Sequence, residues 1–239
     1  MRPSSGGRLG VAQSRAMAGG GERSCGVPDG GGGTLARRGW VREDRRFLVA
    51  LQGRLDAAVR RAGRHLACRL GCTECCVGPF DITPLDAWRL RRGLAGLAAR
   101  RPDAAAAIVG RAREQWARMA VAFPGDPVRG VLSQELAARE AFFAAFAALP
   151  CPALDPPTGA CQLYDSRPVS CRTFGLPIRC GDQLLPPCRL NFTTAAPEEV
   201  TAATVDPDPD DLEGELLQHC GAEAGDTIVA WVLASSLER

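Results

Sequence analysis

Nine of the eleven cysteines lie in two short segments, and this clustering constrains the fold more than any other feature of the sequence. The first segment contains four of them and the second contains five: Cys68, Cys72, Cys75 and Cys76, then Cys151, Cys161, Cys171, Cys180 and Cys188. Both segments are irregular, with glycines and prolines but no apolar periodicity, so neither can form a core by itself. We therefore expect a common ligand to join them and to close the helical region that separates them.

A bound metal explains these cysteines better than burial or disulfide bonding does. An isolated cysteine is usually a small buried apolar residue, but a polar loop holding four cysteines has little core in which to bury them. The pair Cys72-x2-Cys75 has the spacing of a metal-binding knuckle. A disulfide network is the competing interpretation. It is disfavoured by a reducing cytoplasm, where we expect the protein because the first residues do not resemble a secretory signal.

Neighbouring cysteines at positions 75 and 76 raise a separate question. Successive side chains of an extended segment point to opposite sides, so Cys75 and Cys76 can reach one tetrahedral ion only through a tight bend. Otherwise one of them is not a ligand, or the two serve different metals at adjacent sites. Several thiolates around one divalent ion also carry excess negative charge. Among the arginines near cysteines, we expect Arg167 and Arg172, which flank Cys171, to compensate it.

Apolar periodicity predicts a mainly α fold: a small helical domain around an irregular cysteine-rich metal site, with at most a short β-hairpin. The hairpin is predicted to pair residues 176–179 with residues 183–185. Thr83, Pro84 and Asp86 have the pattern of a helix start, in which Thr83 caps, Pro84 takes the first helical position and Asp86 completes a capping box. Other helices are predicted at 40–66, 102–121, 126–149, 212–217 and 227–237.

The domain interpretation follows from these patterns. Residues 1–39 are predicted to be a disordered Gly/Arg-rich tail, and residues 40–194 a cysteine-cluster domain carrying a helical insertion at 100–149. A linker is predicted at 195–210 and C-terminal helices that pack on the domain at 211–239. The helical insertion could provide a surface for a protein partner.

Charge is distributed unevenly along the chain. Residues 1–64 carry an excess of arginine and residues 195–239 an excess of acid, although the formal net charge is only +2. The two ends can attract each other, or both can be solvated. A basic end can also bind nucleic acid, but this one has too few aromatic residues to form a stacking platform, so we do not expect nucleic acid as a partner. No apolar run is long enough to span a membrane, and we expect no membrane partner.

Two motifs in the right order resemble a known family. Cys68-x3-Cys72-x2-Cys75-Cys76, followed by Gly159-Ala160-Cys161-Gln162-Leu163-Tyr164 and by Arg167-Pro168-Val169-Ser170-Cys171-Arg172, is similar to the YkgJ-type cysteine-cluster family, a zinc- or iron-chelating CxxCxxCC domain. The resemblance covers roughly residues 66–192. It implies a metal ion as the partner, either zinc or iron, the latter including an iron–sulfur cluster. The ligands that it implies are Cys68, Cys72, Cys75, Cys76, Cys151, Cys161, Cys171 and Cys188, with Cys180 a packed thiol instead.

The sequence leaves the role of such a site open between structural, sensory and redox functions. An iron–sulfur enzyme is the alternative, because Cys68-x3-Cys72-x2-Cys75 has the spacing of radical S-adenosylmethionine proteins and the broad family includes members described as protein lysine N-methylases. Glu74 stands where that signature has an aromatic residue, and no strand–helix alternation follows the motif. A zinc-ribbon module for nucleic acid is a third possibility. His65 and His219 are the only histidines, and no nucleophile–base pair supports a hydrolase.

Overall fold

The computed structural model describes residues 34–219 and 225–236, and this part of the chain is mainly α, as predicted. Its eight α-helices are α1 (Thr34–Ala62), α2 (Pro84–Arg100), α3 (Pro102–Met119), α4 (Leu136–Ala145), α5 (Val169–Thr173), α6 (Pro197–Ala203), α7 (Leu212–His219) and α8 (Val229–Ala234). Most of the predicted disordered tail, together with Cys25 and Cys220, lies outside the described residues. Of that tail, residues 34–39 already belong to α1.

Strands in the described part are short and form four antiparallel pairs. Their bounds are β1 (Asp81–Ile82), β2 (Gly125–Asp126), β3 (Val131–Leu132), β4 (Leu154–Asp155), β5 (Ala160–Cys161), β6 (Ile178–Cys180), β7 (Gln183–Leu185) and β8 (Thr227–Ile228). The pairs are β1–β8, β2–β3, β4–β5 and β6–β7. The β6–β7 pair is the predicted hairpin, whereas the other three are too short to leave an alternating pattern in the sequence.

The first apolar layer packs around α1. Phe47, Leu51 and Leu55 of this helix are buried against α6, α7 and the β6–β7 hairpin. Leu85 from the start of α2 belongs to the same core. Arginines occupy the other face of α1, as the helical pattern predicted.

A second layer contains α2, α3 and α8, which pack together around Leu94, Ile108 and Val232. Next to it, an aromatic group built on Phe123, Phe142 and Phe143 joins the end of α3 to α4 and β8. The last described helix is thus a central element of the fold. Among the described residues, none of the helices combines the length and the apolar character that crossing a membrane requires.

Helix α2 begins as the sequence predicts. The Thr83 hydroxyl accepts a hydrogen bond from the Asp86 amide at 3.2 Å, and Pro84 follows the cap. The Asp86 carboxylate turns elsewhere and accepts hydrogen bonds from Arg89, at 2.8 Å, and from the amide of Val169, at 3.2 Å. The start of α2 is thereby tied to the start of α5, two residues before Cys171.

Arg89 connects three helices in the interior. It pairs with Asp44 of α1 at 2.6 Å, with Asp86 at 2.8 Å and with Glu213 of α7 at 2.8 Å. Burial alone would lower the pKa of Arg89, but the carboxylates outweigh this and raise it. Burial also raises the pKa of Glu213 to about 7, against the opposing effect of Arg89.

The helix predicted at 126–149 is wrong in its first third. Residues 125–132 form the β2–β3 hairpin, and α4 begins only at Leu136. The Asp126 carboxylate accepts hydrogen bonds from the amides of Val128 and Arg129, at 2.9 and 3.0 Å, so it closes a turn rather than capping a helix. An Asp-Pro pair fits both structures, and the local pattern could not distinguish them.

Two other segments differ from the prediction. The region 195–210 contains α6, whose residue Ala203 is fully buried against the α1 core, so it is more ordered than a linker. Residues 227–228 pair as β8 with β1 before α8 begins, where the sequence pattern predicted helix throughout.

Candidate metal centre

Backbone hydrogen bonds join the two cysteine segments directly. The Cys151 amide donates to the Cys76 carbonyl at 2.7 Å, and the Gly78 amide donates to the Leu149 carbonyl at 2.7 Å. Because of these hydrogen bonds, the residues after Cys76 lie antiparallel to the residues before Cys151. The two ends of the helical region between the segments therefore lie next to each other.

A tight bend brings the neighbouring cysteines of the first segment together. Glu74–Cys76 forms a single 3-10 turn, in which the Cys76 amide donates to the Thr73 carbonyl at 2.8 Å. The sulfur atoms of Cys75 and Cys76 lie 3.8 Å apart. Two thiolates on one tetrahedral zinc, each about 2.3 Å from the metal, are separated by about the same distance. The bend that the sequence required for a shared ion is therefore present.

Three cysteines of the second segment lie within electrostatic range of this pair. The thiols of Cys151, Cys161 and Cys171 lie close enough to Cys75 to influence one another's ionisation. We call Cys75, Cys76, Cys151, Cys161 and Cys171 the inner thiol group. Its members come from the 3-10 turn, from the chain leading into β4, from β5 and from α5, so four separate pieces of chain contribute to it.

Ionisation within the inner thiol group is uneven. A hydrogen bond with Cys76 lowers the pKa of Cys75 to about 7, against burial and with help from Arg167. The same hydrogen bond raises the pKa of Cys76. Burial raises the pKa of Cys151 to about 12 and also raises the pKa values of Cys161 and Cys171. One thiol thus ionises near neutral pH, and a cation would have to displace the remaining protons.

The other three predicted ligands form a second group. The thiol of Cys188 is influenced by Cys68 and Cys72, and these three constitute the outer thiol group. Asn191 holds it together, because its side-chain amide donates to the Gly175 carbonyl at 2.7 Å and to the Cys68 sulfur at 3.5 Å. Its oxygen accepts from the Ala67 amide at 2.8 Å. The sequence analysis did not predict this role of Asn191, because a single asparagine gives no sequence signal of it.

A close contact between two glycines also went unrecognised in the sequence. Gly159 in the β4–β5 turn has a φ of +66°, and a Cβ atom there would come within 3.1 Å of the Gly71 Cα. The first cysteine segment is thus pressed against the hairpin that carries Cys161. Only residues without a side chain permit this approach.

The predicted arginines contribute unequally. Arg167 stacks on Tyr164, with its guanidinium 3.6 Å from the ring centroid; its charge helps to lower the pKa of Cys75 and opposes the rise in the pKa of Cys161. Arg172 instead hydrogen-bonds the backbone carbonyl of Arg167 at 3.1 Å. Arg167 therefore acts on the thiols, and Arg172 holds the backbone that carries it.

Cys180 and His65 lie outside both groups. Cys180 is in β6, where burial and the acidic residues of 206–211 raise its pKa. His65 stacks on Phe192, and its Nε2 lies 3.1 Å from Glu199.

The donor set fits a thiophilic metal. Sulfur ligands suit zinc and iron, and five thiols exceed the four that a tetrahedral site needs. As the side chains stand, however, no three Cys, His, Asp or Glu residues of 34–219 and 225–236 are arranged so that they could hold an ion. Binding would therefore require rotation of cysteine side chains, several of which are only half-buried.

Comparisons with protein-family models, with curated proteins and with solved structures found no match to this chain. The resemblance of its motifs to the YkgJ-type family thus remains a prediction from the residues that carry it.

Proposed function

We propose that this chain is a metal-binding protein whose inner thiol group holds zinc or iron. The observation that carries the proposal is the close pair Cys75–Cys76, with its sulfurs 3.8 Å apart, within electrostatic range of Cys151, Cys161 and Cys171 from the distant second segment. A small apolar role does not explain this arrangement, because such cysteines need not lie near one another. The order of the motifs supports placing the chain beside the YkgJ-type family, and free thiols suit a reducing compartment such as the cytoplasm.

Different residues of the chain would have different roles in binding the metal. Cys75 offers the thiol that ionises most readily, and Cys76, Cys151, Cys161 and Cys171 supply further sulfurs as their protons leave. Arg167 offsets part of the thiolate charge, and the Asp86–Val169 hydrogen bond positions the helix that carries Cys171. Zinc at this point would supply a structural cross-link, whereas an iron–sulfur centre would also supply electron transfer.

Metal analysis of three variants tests the proposal. Cys75→Ser and Cys76→Ser each remove a sulfur from the inner thiol group, and Cys180→Ser removes one from the β6–β7 hairpin as a matched control. We expect at least one of the first two to lose most of its metal after purification under anaerobic conditions, while Cys180→Ser keeps the content of the unmodified chain. Full metal content in both inner variants would contradict the proposal.

The colour and the sulfide content of the same preparations distinguish zinc from an iron–sulfur cluster. A colourless protein with stoichiometric zinc excludes the iron–sulfur enzyme, whereas a brown protein with acid-labile sulfide favours it. The structure gives that enzyme little support. The described strands are antiparallel pairs rather than a parallel barrel. A ratio of two metals per chain would mean that the outer thiol group is a second site.

A further inference from the structure

A cleft of about 410 Å³ opens beside the inner thiol group. One wall is the face of α2 that carries Trp88, Arg92, Gly96 and Arg100, and the other is the segment from Cys161 to Ser166. Clefts of this volume hold small organic molecules. Cys161 contributes to the lining, so a molecule in the cleft lies next to a candidate metal ligand.

The α2 wall has a regular arrangement of two cations around a gap. Arg92, Gly96 and Arg100 are spaced by four residues and therefore lie along one face of the helix. Gly96 leaves the space between the two arginines open, since a Cβ atom there would meet only the Arg100 guanidinium, at 3.5 Å. Arg92 is also held in place, because its guanidinium lies 4.5 Å from the centroid of the Trp88 ring.

The charges around the cleft do not cancel. In the described part of the chain, neither Arg92 nor Arg100 forms a hydrogen bond or an ion pair with a carboxylate. The two acids that line the cleft are Asp44 and Asp165. Asp44 is already paired with the buried Arg89 at 2.6 Å. The remaining acid, Asp165 on the opposite rim, carries one negative charge, whereas the exposed Arg92 and Arg100 carry two positive charges.

We propose that this cleft binds a small organic dianion, with one oxyanion group at Arg92 and the other at Arg100. Guanidinium groups recognise carboxylates and phosphates through paired hydrogen bonds, and the gap at Gly96 receives the body of the molecule. The cleft is closed by α1 and by the 161–166 segment, and its size suits a molecule rather than a peptide chain. The proposal does not depend on metal in the thiol groups.

Calorimetric titration of the full chain with adipate and with inorganic phosphate tests the site. Adipamide, which has the shape of adipate without its charges, is the matched neutral compound. We expect saturable binding of at least one anion with a Kd below about 1 mM, and none of adipamide. The stronger of the two probes assigns the natural ligand to carboxylates or to phosphates. If neither anion binds saturably at up to about 10 mM, the proposal is overturned.

Two variants with matched controls separate the cleft from general surface charge. Arg92→Gln with Arg100→Gln should weaken binding by at least about tenfold, whereas Arg60→Gln with Arg118→Gln changes the net charge equally at exposed positions that do not line the cleft and should not weaken it. Gly96→Leu should also weaken binding by at least about tenfold, because the new side chain fills the gap without altering charge. Gly110→Leu on α3, which likewise has open space around it, should not. If Gly96→Leu binds as tightly as the unmodified chain, the anion lies outside the cleft and the assignment fails.

Discussion

At the scale of single residues, the inner thiol group is governed by the hydrogen bond between two neighbouring cysteines. The hydrogen bond between the Cys75 and Cys76 sulfurs lowers the pKa of Cys75 and raises the pKa of Cys76, although the two residues are adjacent. The family resemblance implied that both are ligands, whereas the residues alone left open whether one of them is not a ligand and whether the two serve one ion or two. The answer depends on the bend at 74–76, and the sequence of a short polar turn does not predict such a bend.

Cys75 should therefore be the most reactive thiol of the inner group in metal-free protein. We expect iodoacetamide to label Cys75 with a midpoint near pH 7, because only the thiolate reacts and burial raises the pKa values of Cys151, Cys161 and Cys171. Peptide mapping by mass spectrometry over pH 5–10 measures this. In Cys76→Ala the hydrogen bond is lost and the midpoint should move to higher pH. An unchanged midpoint would show that Cys76 does not set it.

At the scale of elements, short turns and hairpins rather than long helices place the ligands. The periodic pattern predicted α2, α3 and much of α1 because long amphipathic helices leave a repeated signal. The two-residue pairs β1–β8, β2–β3 and β4–β5 are too short to leave such a signal, and β1–β8 also joins segments that are distant in the sequence. The cysteines could be identified from the sequence, but their division into an inner and an outer group could not.

The contact between Gly159 and Gly71 can be tested with a matched glycine. Gly181, in the β6–β7 turn, also has a positive φ, of 56°, but a Cβ atom there would have no neighbour within 4 Å. We expect Gly181→Ala to cost about 1 kcal/mol in backbone strain, and Gly159→Ala to cost roughly 2–3 kcal/mol because backbone atoms must also move. Urea unfolding measures both. Gly159→Ala should lower the metal content too, and equal costs for the two variants would argue against a tight contact.

The Arg89 network predicts how the docking of α7 depends on pH. The pKa of Glu213 rises from its usual 4.5 to about 7 on folding, so the folded chain binds the proton more tightly than the unfolded chain. Stability from this group is then present below about pH 4.5 and is lost as the pH rises through 7. The free energy of unfolding should therefore fall between low pH and pH values above 7. Glu213→Gln should make this fall smaller by roughly 1–3 kcal/mol.

Chemical denaturation at pH 5 and at pH 7.5 measures the effect. Glu215→Gln, an exposed position on the same helix, serves as the control and should keep the full decline. Part of the decline will persist in Glu213→Gln, because burial also raises the pKa of Asp86. A decline in Glu213→Gln equal to that of the unmodified chain would place the titrating group elsewhere.

At the scale of the whole molecule, the uneven charge of the sequence becomes a contact between its two ends. Arg54 of α1 pairs with Asp210 at 3.3 Å, Arg64 pairs with Glu199 at 3.3 Å, and the buried Arg89 pairs with Glu213. The exposed pairs contribute little energy each, whereas the buried network fixes which helices meet. Mutual attraction was one of two interpretations that the sequence allowed, and the packing of α6 and α7 on α1 favours it.

Metal removal should loosen the molecule well beyond the site. The inner thiol group draws on both cysteine segments, and these segments bracket α2, α3 and α4. We expect a strong zinc or iron chelator to lower the thermal midpoint by about 10 °C or more, because ligand binding to the folded state is coupled to folding. Calorimetry of treated and untreated protein measures the shift. A Cys180→Ser variant should show the same shift, and identical midpoints with and without metal would limit the metal to a peripheral role.

The position of α8 has a consequence for how this protein is made. The helix lies against both α2 and α3, and β8 before it pairs with β1 just beyond the first cysteine segment. A ribosome therefore delivers every cysteine of both thiol groups well before it delivers the helix that completes the layer beside them. During that interval the thiols are exposed on an unfinished chain. We accordingly expect metal to be acquired after translation has passed α8.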